Sequence, residues 1–224
     1  MKASERKIKD LFSEPNTFFS IPVYQRDYNW QEKQCKQLFK DILTAGENKE
    51  ISSHFIGSIV YIHEGVYEIG EKEFSVIDGQ QRMITITLLF IALYHKLKEN
   101  NSKEADKIYE LLRLSLFTSE PFLRINKFSE KEVNLKLVPP EENLNILIKV
   151  LENKFNELEN YRDRNLVKNY SYFKKELTKF SDSEIQNIIV GIDKLIYVNI
   201  ALENGKDDPQ RIFESLNSTG LDLS

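Results

Sequence analysis

A chain of 224 residues, 41% apolar and 29% charged, is long enough to bury one sizeable core, and its formal net charge of −4 argues against an unaided grip on phosphate backbones by the segment as a whole. Cys35 is the single cysteine, which excludes an intrachain disulfide or a cysteine-rich zinc site and fits a reducing cytoplasm. The three histidines, His54, His63 and His95, have no metal-binding spacing, and the longest apolar run, 83–94, is too short and too threonine-broken to span a bilayer, so no membrane is expected as a partner.

The N-terminus has no apolar core and is not a signal peptide. Residues 5–13 predict a short helix. Residues 18–24 are extended, with Phe19, Ile21 and Val23 alternating with Ser20 and Pro22; the proline cannot donate to a ladder, which points to an edge strand or a lead-in loop. Asn29, with Glu32 three residues on, reads as a helix N-cap and capping box. The helix behind it has Cys35, Leu38, Phe39 and Ile42 on one face and is expected to end at Gly46. Residues 54–62 and 74–77 are β-forming, with turns at Gly65 and Gly70 between them, and a buried helix spans about 80–97.

Beyond residue 100 the pattern becomes mainly helical. After a polar, loop-like stretch at 100–105, helices are expected near 104–117, 140–159, 163–180 and 183–192. Short extended pieces fall at 122–126 and 134–138, and 195–202 is β-like. Asp208-Pro209 starts a last helix to about Leu216, followed by a turn at 217–220. The expectation is an α+β chain with a mixed-sheet core over 1–98 and a mainly helical part over 99–224, whose end returns to the core's site.

Asp78-Gly79-Gln80-Gln81-Arg82 lies between a strand and the buried helix. The first N–H groups of a helix are unpaired and, with the helix dipole, attract anions, phosphate above all. Gly79 lets backbone approach a ligand, Asp78 suits Mg²⁺ or a ribose hydroxyl, Gln80 and Gln81 suit a water or a base edge, and Arg82 suits phosphate oxygens. The plain alternative is an Asp-Gly turn in which Asp78 caps the helix. Arg82 tips the balance, because a cation in the first turn of an apolar helix is at the wrong end of the dipole. It needs an anion there, either a bound phosphate or a structural carboxylate.

A second segment, Tyr24-Gln25-Arg26-Asp27-Tyr28-Asn29-Trp30, sets three aromatics around an arginine. Arg26 on phosphate and an aromatic on a base or sugar is one reading; Tyr28 and Trp30 as core wedges, with Arg26 paired to a carboxylate, is the other. For Trp30 the core role is favoured; for Gln25 and Arg26, the ligand role. At the chain end, Phe213 and Leu216 read as core, and Asn217 and Gly220 as a cap and turn.

In order along the chain, Ile21-Pro22-x-Tyr24-Gln25-Arg26-x-Tyr28-x-Trp30, Gly57-Ser58-Ile59-Val60, residues 78–82 and Phe213-x-x-x-Asn217-x-x-Gly220 resemble the motifs of one family. It is the N-terminal domain of GmrSD-type modification-dependent restriction and phage-defence proteins, a bacterial group. The resemblance spans about 18–224. It implies a core similar to ParB and sulfiredoxin, and nucleoside-triphosphate binding or Mg²⁺-dependent hydrolysis that regulates a nuclease domain or subunit, with DNA reached through the full-length protein. On that footing the catalytic candidates are Asp78 (metal or water activation), Gln81 (positioning water), and Arg26 and Arg82 (phosphate charge). The nucleotide would be held by Tyr24, Gln25, Arg26, Gly79, Gln80, Gln81, Arg82, Thr85, Asn217 and Gly220. Two departures stand out. Ile84-Thr85 leaves only Thr85 where relatives often carry two threonines, and no nuclease is expected in a segment with three isolated histidines. A nucleotide- or modified-DNA-sensing module without turnover is the alternative to an NTPase; a scaffold with a decayed site fits poorly with an intact 78–82 motif.

Overall fold

The structure, a computed structural model, describes residues 2–63, 72–98, 112–113, 115–117, 135–202, 207 and 211–212. The elements in chain order are β1 (Lys2–Lys7), α1 (Ile8–Ser13), β2 (Thr17–Ser20), α2 (Glu32–Glu47), β3 (His54–His63), β4 (Lys72–Asp78), α3 (Gln80–Lys98) and β5 (Leu137–Val138). They continue with α4 (Glu141–Leu151), a 3₁₀ segment (Phe155–Tyr161), α5 (Asn165–Leu177), α6 (Asp182–Asp193) and β6 (Leu195–Leu202). The strands form one mixed sheet in the order β1-β6-β3-β4-β2-β5. Pairs β1–β6 and β3–β4 are antiparallel; β3–β6, β2–β4 and β2–β5 are parallel. The fold is α+β.

The sheet takes β5 and β6 from beyond residue 98, and the larger apolar core runs from Ile8 to Tyr197, so both sheet and core cross the boundary expected there. Helix α3 is apolar on every side, as a helix must be when neighbours cover all its faces. Its residues from Met83 to Leu93 are buried, and α5 packs along it. The hydroxyls of Thr85 and Thr87 donate back to the carbonyls of Gln81 and Met83, so neither threonine is left unpaired inside. No helix among the described residues is long and apolar enough to cross a membrane.

Several local expectations are corrected. Residues 5–7 belong to strand β1, not to a helix, because ladder pairing with 196–198 of β6 satisfies their backbone. Strand β2 is inside the sheet, between β4 and β5; it stops at Ser20, so Pro22 falls in the loop that follows. The N-cap of α2 is Gln31, in a capping box with Gln34, because Asn29 is held away from the helix by the contacts described below. Gly46 lies within α2 rather than ending it. A Cβ on Gly46 would stand 2.0 Å from the Asn187 carbonyl of α6, and one on Gly191 2.0 Å from the Ile42 carbonyl of α2, so the two glycines let these helices touch backbone to backbone. The helix expected over 140–159 stops at Leu151 and resumes as the 3₁₀ segment, with Asn153 in the left-handed region at the break (φ 58°). The remaining predicted helices and strand, near 163–180, 183–192 and 195–202, are α5, α6 and β6. The turns at Gly65 and Gly70, the 100–105 loop, the extended piece 122–126, the start at Asp208-Pro209 and residues 213–220 lie outside the described residues.

Candidate functional site

The site is set by the passage from β4 into α3. Asp78 ends the strand, paired with Val60 of β3, and Gly79 turns the chain in the left-handed region (φ 90°). A Cβ on Gly79 would stand 2.9 Å from the Ser58 carbonyl and 3.0 Å from Ile59 Cγ1, so the turn packs directly onto β3. The first helical bond runs from Met83 N–H to the Gly79 carbonyl. The N–H groups of Gln80, Gln81 and Arg82 precede it and form the positive end of a 19-residue helix.

Arg82 lies across β3. The parallel ladder with β6 shifts register between Phe55 and Ser58, and within that irregularity Gly57 takes φ 102°. A Cβ there would stand 2.8 Å from Arg82 Cζ, so the glycine makes the bed on which the guanidinium rests. Arg82 Nη1 donates to the Ser58 carbonyl. Burial pulls the guanidinium's pKa below its ordinary value, and the Asp78 carboxylate pushes it back up. The anion that the sequence demanded for this cation is therefore supplied, in part, by Asp78 and a backbone carbonyl.

Residues 25–30 pass over the first turn of α3 and are fastened to it by glutamines. Gln25 Nε2 donates to the Ile77 carbonyl (3.1 Å) and Gln80 Nε2 to the Arg26 carbonyl (3.4 Å). Gln81 Oε1 accepts from Asn29 N–H (2.9 Å) and Trp30 N–H (3.3 Å), while its Nε2 donates to the Asp27 carbonyl (3.1 Å). Gln25, Gln80 and Gln81 are all buried. Among the described residues the side-chain oxygens of Gln25 and Gln80 have no hydrogen-bond partner, an expense for a folded protein unless a donor arrives from elsewhere.

Tyr28 is buried, and its hydroxyl lies 2.7 Å from Thr85 Oγ1, 2.8 Å from Asn169 Nδ2 and 3.8 Å from Cys35 Sγ. Burial, with the neighbouring thiol next in weight, pushes the phenol well above its ordinary range, so it stays protonated; burial likewise raises Cys35 to about 11. Trp30 is half-buried against the core, as favoured from the sequence. Arg26 is exposed, and among the described residues its guanidinium has no ion-pair partner. Val23 and Tyr24 are exposed beside it, 75% and 71%.

The structure thus gathers Gln25, Arg26, Gly79, Gln80, Gln81 and Arg82 at one end of α3, with Asp78 half-buried at its threshold and Tyr24 at the rim. Thr85 is wholly buried, and its hydroxyl is spent on Tyr28 and the Gln81 carbonyl, one turn below the N–H groups. Asn217 and Gly220 lie outside the described residues. Sequence reasoning passed over Asn165, Asn169 and the Ser58 carbonyl. Asn169 had a signal: an amide among Leu166, Val167, Tyr170 and Phe173 on an otherwise apolar face. Among the described residues no three metal-ligating side chains stand together. Asp78 therefore offers one carboxylate, which suits Mg²⁺ shared with phosphates and water and does not suit an all-protein cage.

No curated protein matches the chain. A family model does match, over residues 8–224: the GmrSD restriction endonuclease, N-terminal domain. That span contains β4, α3, the 25–30 segment and every residue gathered around them, and the chain belongs to this family of GmrSD restriction endonuclease N-terminal domains.

Proposed function

We propose that this domain binds a nucleoside triphosphate with Mg²⁺ at the N-terminal end of α3, and that occupancy of the site regulates the nuclease of the restriction system. Membership in the family carries a role in a restriction system and a nuclease as partner; the nucleotide is the reading that the site's chemistry supports. The observation that carries it is the pairing of the N–H groups at the start of α3 with an exposed Arg26 that has no ion-pair partner among the described residues and whose carbonyl is tied to Gln80 in that same first turn. Helix N-terminus and guanidinium together attract the phosphates. The partnerless oxygens of Gln25 and Gln80 favour a ligand that brings N–H or O–H donors, as a base or a ribose does. Mg²⁺ would be held by Asp78 and the phosphates, and it would offset the charge between them.

Gln81 favours switching over hydrolysis. Its carbonyl oxygen and one amide hydrogen are spent on the 27–30 backbone, which leaves it a clamp more than a holder of water. Binding that orders or releases this segment is the simplest way such a site communicates.

The test is calorimetric titration of ATP, GTP, CTP and UTP into wild type and Asp78→Asn, with and without Mg²⁺, together with a phosphate-release assay. The expected result is Mg²⁺-assisted binding by wild type. In Asp78→Asn the charge is gone, so nucleotide binds at least as well without Mg²⁺ as wild type does. Metal-dependent phosphate release that Asp78→Asn abolishes would restore hydrolysis as the reading. Absence of binding by wild type to all four nucleotides would overturn the site.

A further inference from the structure

The 27–30 segment is clamped from two sides. Gln81 grips it from α3, through the three bonds described above. From the opposite side α5 supplies two asparagines one turn apart. Asn169 Nδ2 donates to the Trp30 carbonyl and to the Tyr28 hydroxyl, both at 2.8 Å, and Asn165 Nδ2 donates to the Asn29 carbonyl at 3.2 Å. The directions of these bonds are fixed. Thr85 spends its hydrogen on the Gln81 carbonyl, so the Tyr28 hydroxyl donates to Thr85 and accepts from Asn169. A continuous chain of donors therefore runs from α5, through Tyr28 and Thr85, to the carbonyl of Gln81 in the first turn of α3.

Packing alone does not ask for Asn169. It is wholly buried, it sits among Leu166, Tyr170 and Phe173, and its Oδ1 has no partner among the described residues. A leucine there would avoid an orphaned acceptor, at the loss of the grip on Tyr28 and Trp30. The amide fits a need to hold the segment better than a need to fill the core.

We propose that Asn165 and Asn169 are positioning residues of the nucleotide site: they set the 27–30 segment over the first turn of α3, and through them occupancy of the site is felt by helix α5. This rests on the nucleotide reading above, because Arg26 and Gln25 precede the clamped segment directly and move with it. Neither asparagine touches the ligand; both act through the segment's backbone.

Trp30 supplies the readout, since it is the only tryptophan of the chain and both its N–H and its carbonyl belong to the clamp. Wild type, Asn165→Ala, Asn169→Leu and a control, Lys168→Ala on the exposed side of α5, are titrated with each of the four Mg²⁺–nucleoside triphosphates. Calorimetry and Trp30 fluorescence are followed in parallel, with thermal melts of every variant. Nucleotide is expected to change Trp30 emission in wild type and in Lys168→Ala. Asn165→Ala, half-buried at the clamp's edge and expected to fold, should bind several-fold more weakly with a reduced emission change at an unchanged melting temperature. Asn169→Leu should bind at least tenfold more weakly. Should Asn169→Leu fail to fold, Asn165→Ala decides the matter alone. Wild-type affinity and emission change in Asn165→Ala would overturn the proposal and leave the nucleotide reading standing; absence of nucleotide binding by wild type would overturn both.

Discussion

Helix α3 carries buried polar side chains at both ends and uses them in opposite ways. Near its C-terminal end His95 is buried with both ring nitrogens engaged, Nδ1 with the Tyr170 hydroxyl at 2.8 Å and Nε2 with the Leu151 carbonyl at 2.9 Å. It pins α3 to α4 and α5. At the N-terminal end Gln25, Gln80 and Gln81 are as deeply buried, yet two amide oxygens find no partner among the described residues and the cation beside them faces solvent. A buried polar group that is fully satisfied contributes rigidity; one left with spare capacity costs free energy until something arrives to use it. The difference separates a structural end of the helix from the end to which the proposal gives a ligand.

The largest effect is expected at the satisfied end. His95→Leu removes the hydrogen bonds that His95 makes to the Tyr170 hydroxyl and the Leu151 carbonyl, and should lower unfolding free energy by about 2–4 kcal/mol. Nucleotide affinity per folded molecule should stay within about twofold of wild type, as expected for sites far apart with no shared partner. Urea unfolding and calorimetry on the same preparation check both parts; a large loss of affinity in folded His95→Leu would erase the contrast between the two ends.

Next come the two arginines. Arg26→Ala removes an exposed side chain and should leave the melting temperature unchanged while weakening nucleotide binding by roughly 1.5–3 kcal/mol, the value of a charge-assisted bond. Arg82→Ala should weaken binding and lower stability together, since it also abandons the Ser58 carbonyl and the Asp78 charge. An Arg82→Ala variant that melts lower but binds normally would make Arg82 a structural residue and leave Arg26 as the phosphate contact.

The smallest effect is a pH slope. Cys35, beneath the clamped segment, has its thiol raised from 9.0 to about 11 by burial. In the folded state it keeps a proton that the unfolded chain releases above pH 9. Its contribution is therefore fully present below pH 9 and is lost as pH rises from 9 towards 11, by about 1.4 kcal/mol per pH unit. Cys35→Ala should lose less stability than wild type between pH 8 and pH 10. Equal slopes in the two proteins would mean that the hub around Tyr28 opens more readily than its packing implies.

Much of this was legible along the chain. The β4–glycine–α3 passage, the apolar face of α2 and the spans of α5, α6 and β6 follow from periodicity and turn chemistry, which act over a few residues. The gathering of Gln25 and Arg26 against residues 78–82 was legible only through the family's ordered motifs, since 52 positions separate Gln25 from Ile77. Residues 5–7 read as helix because their strand identity comes from β6, almost 200 residues away. Gly46 read as a stop because nothing local announces a helix crossing that needs its missing Cβ.

The amino-acid order by itself determined that this is an α+β chain with a strand–glycine–helix turn, because the hydrophobic period and the freedom of Gly79 are properties of neighbouring residues. Only the tertiary structure decided what each polar side chain at that turn does. Gln81 and Thr85 looked like ligand residues and are spent inside the protein; Arg82 looked unpaired and rests on Gly57 against Ser58; Asn169 looked like a helix residue of no account and holds Tyr28 and Trp30. A hydrogen-bonding group carries a fixed capacity but no fixed partner. Which partner it takes depends on what the fold brings within about 3 Å, and that is a property of the packed chain as a whole.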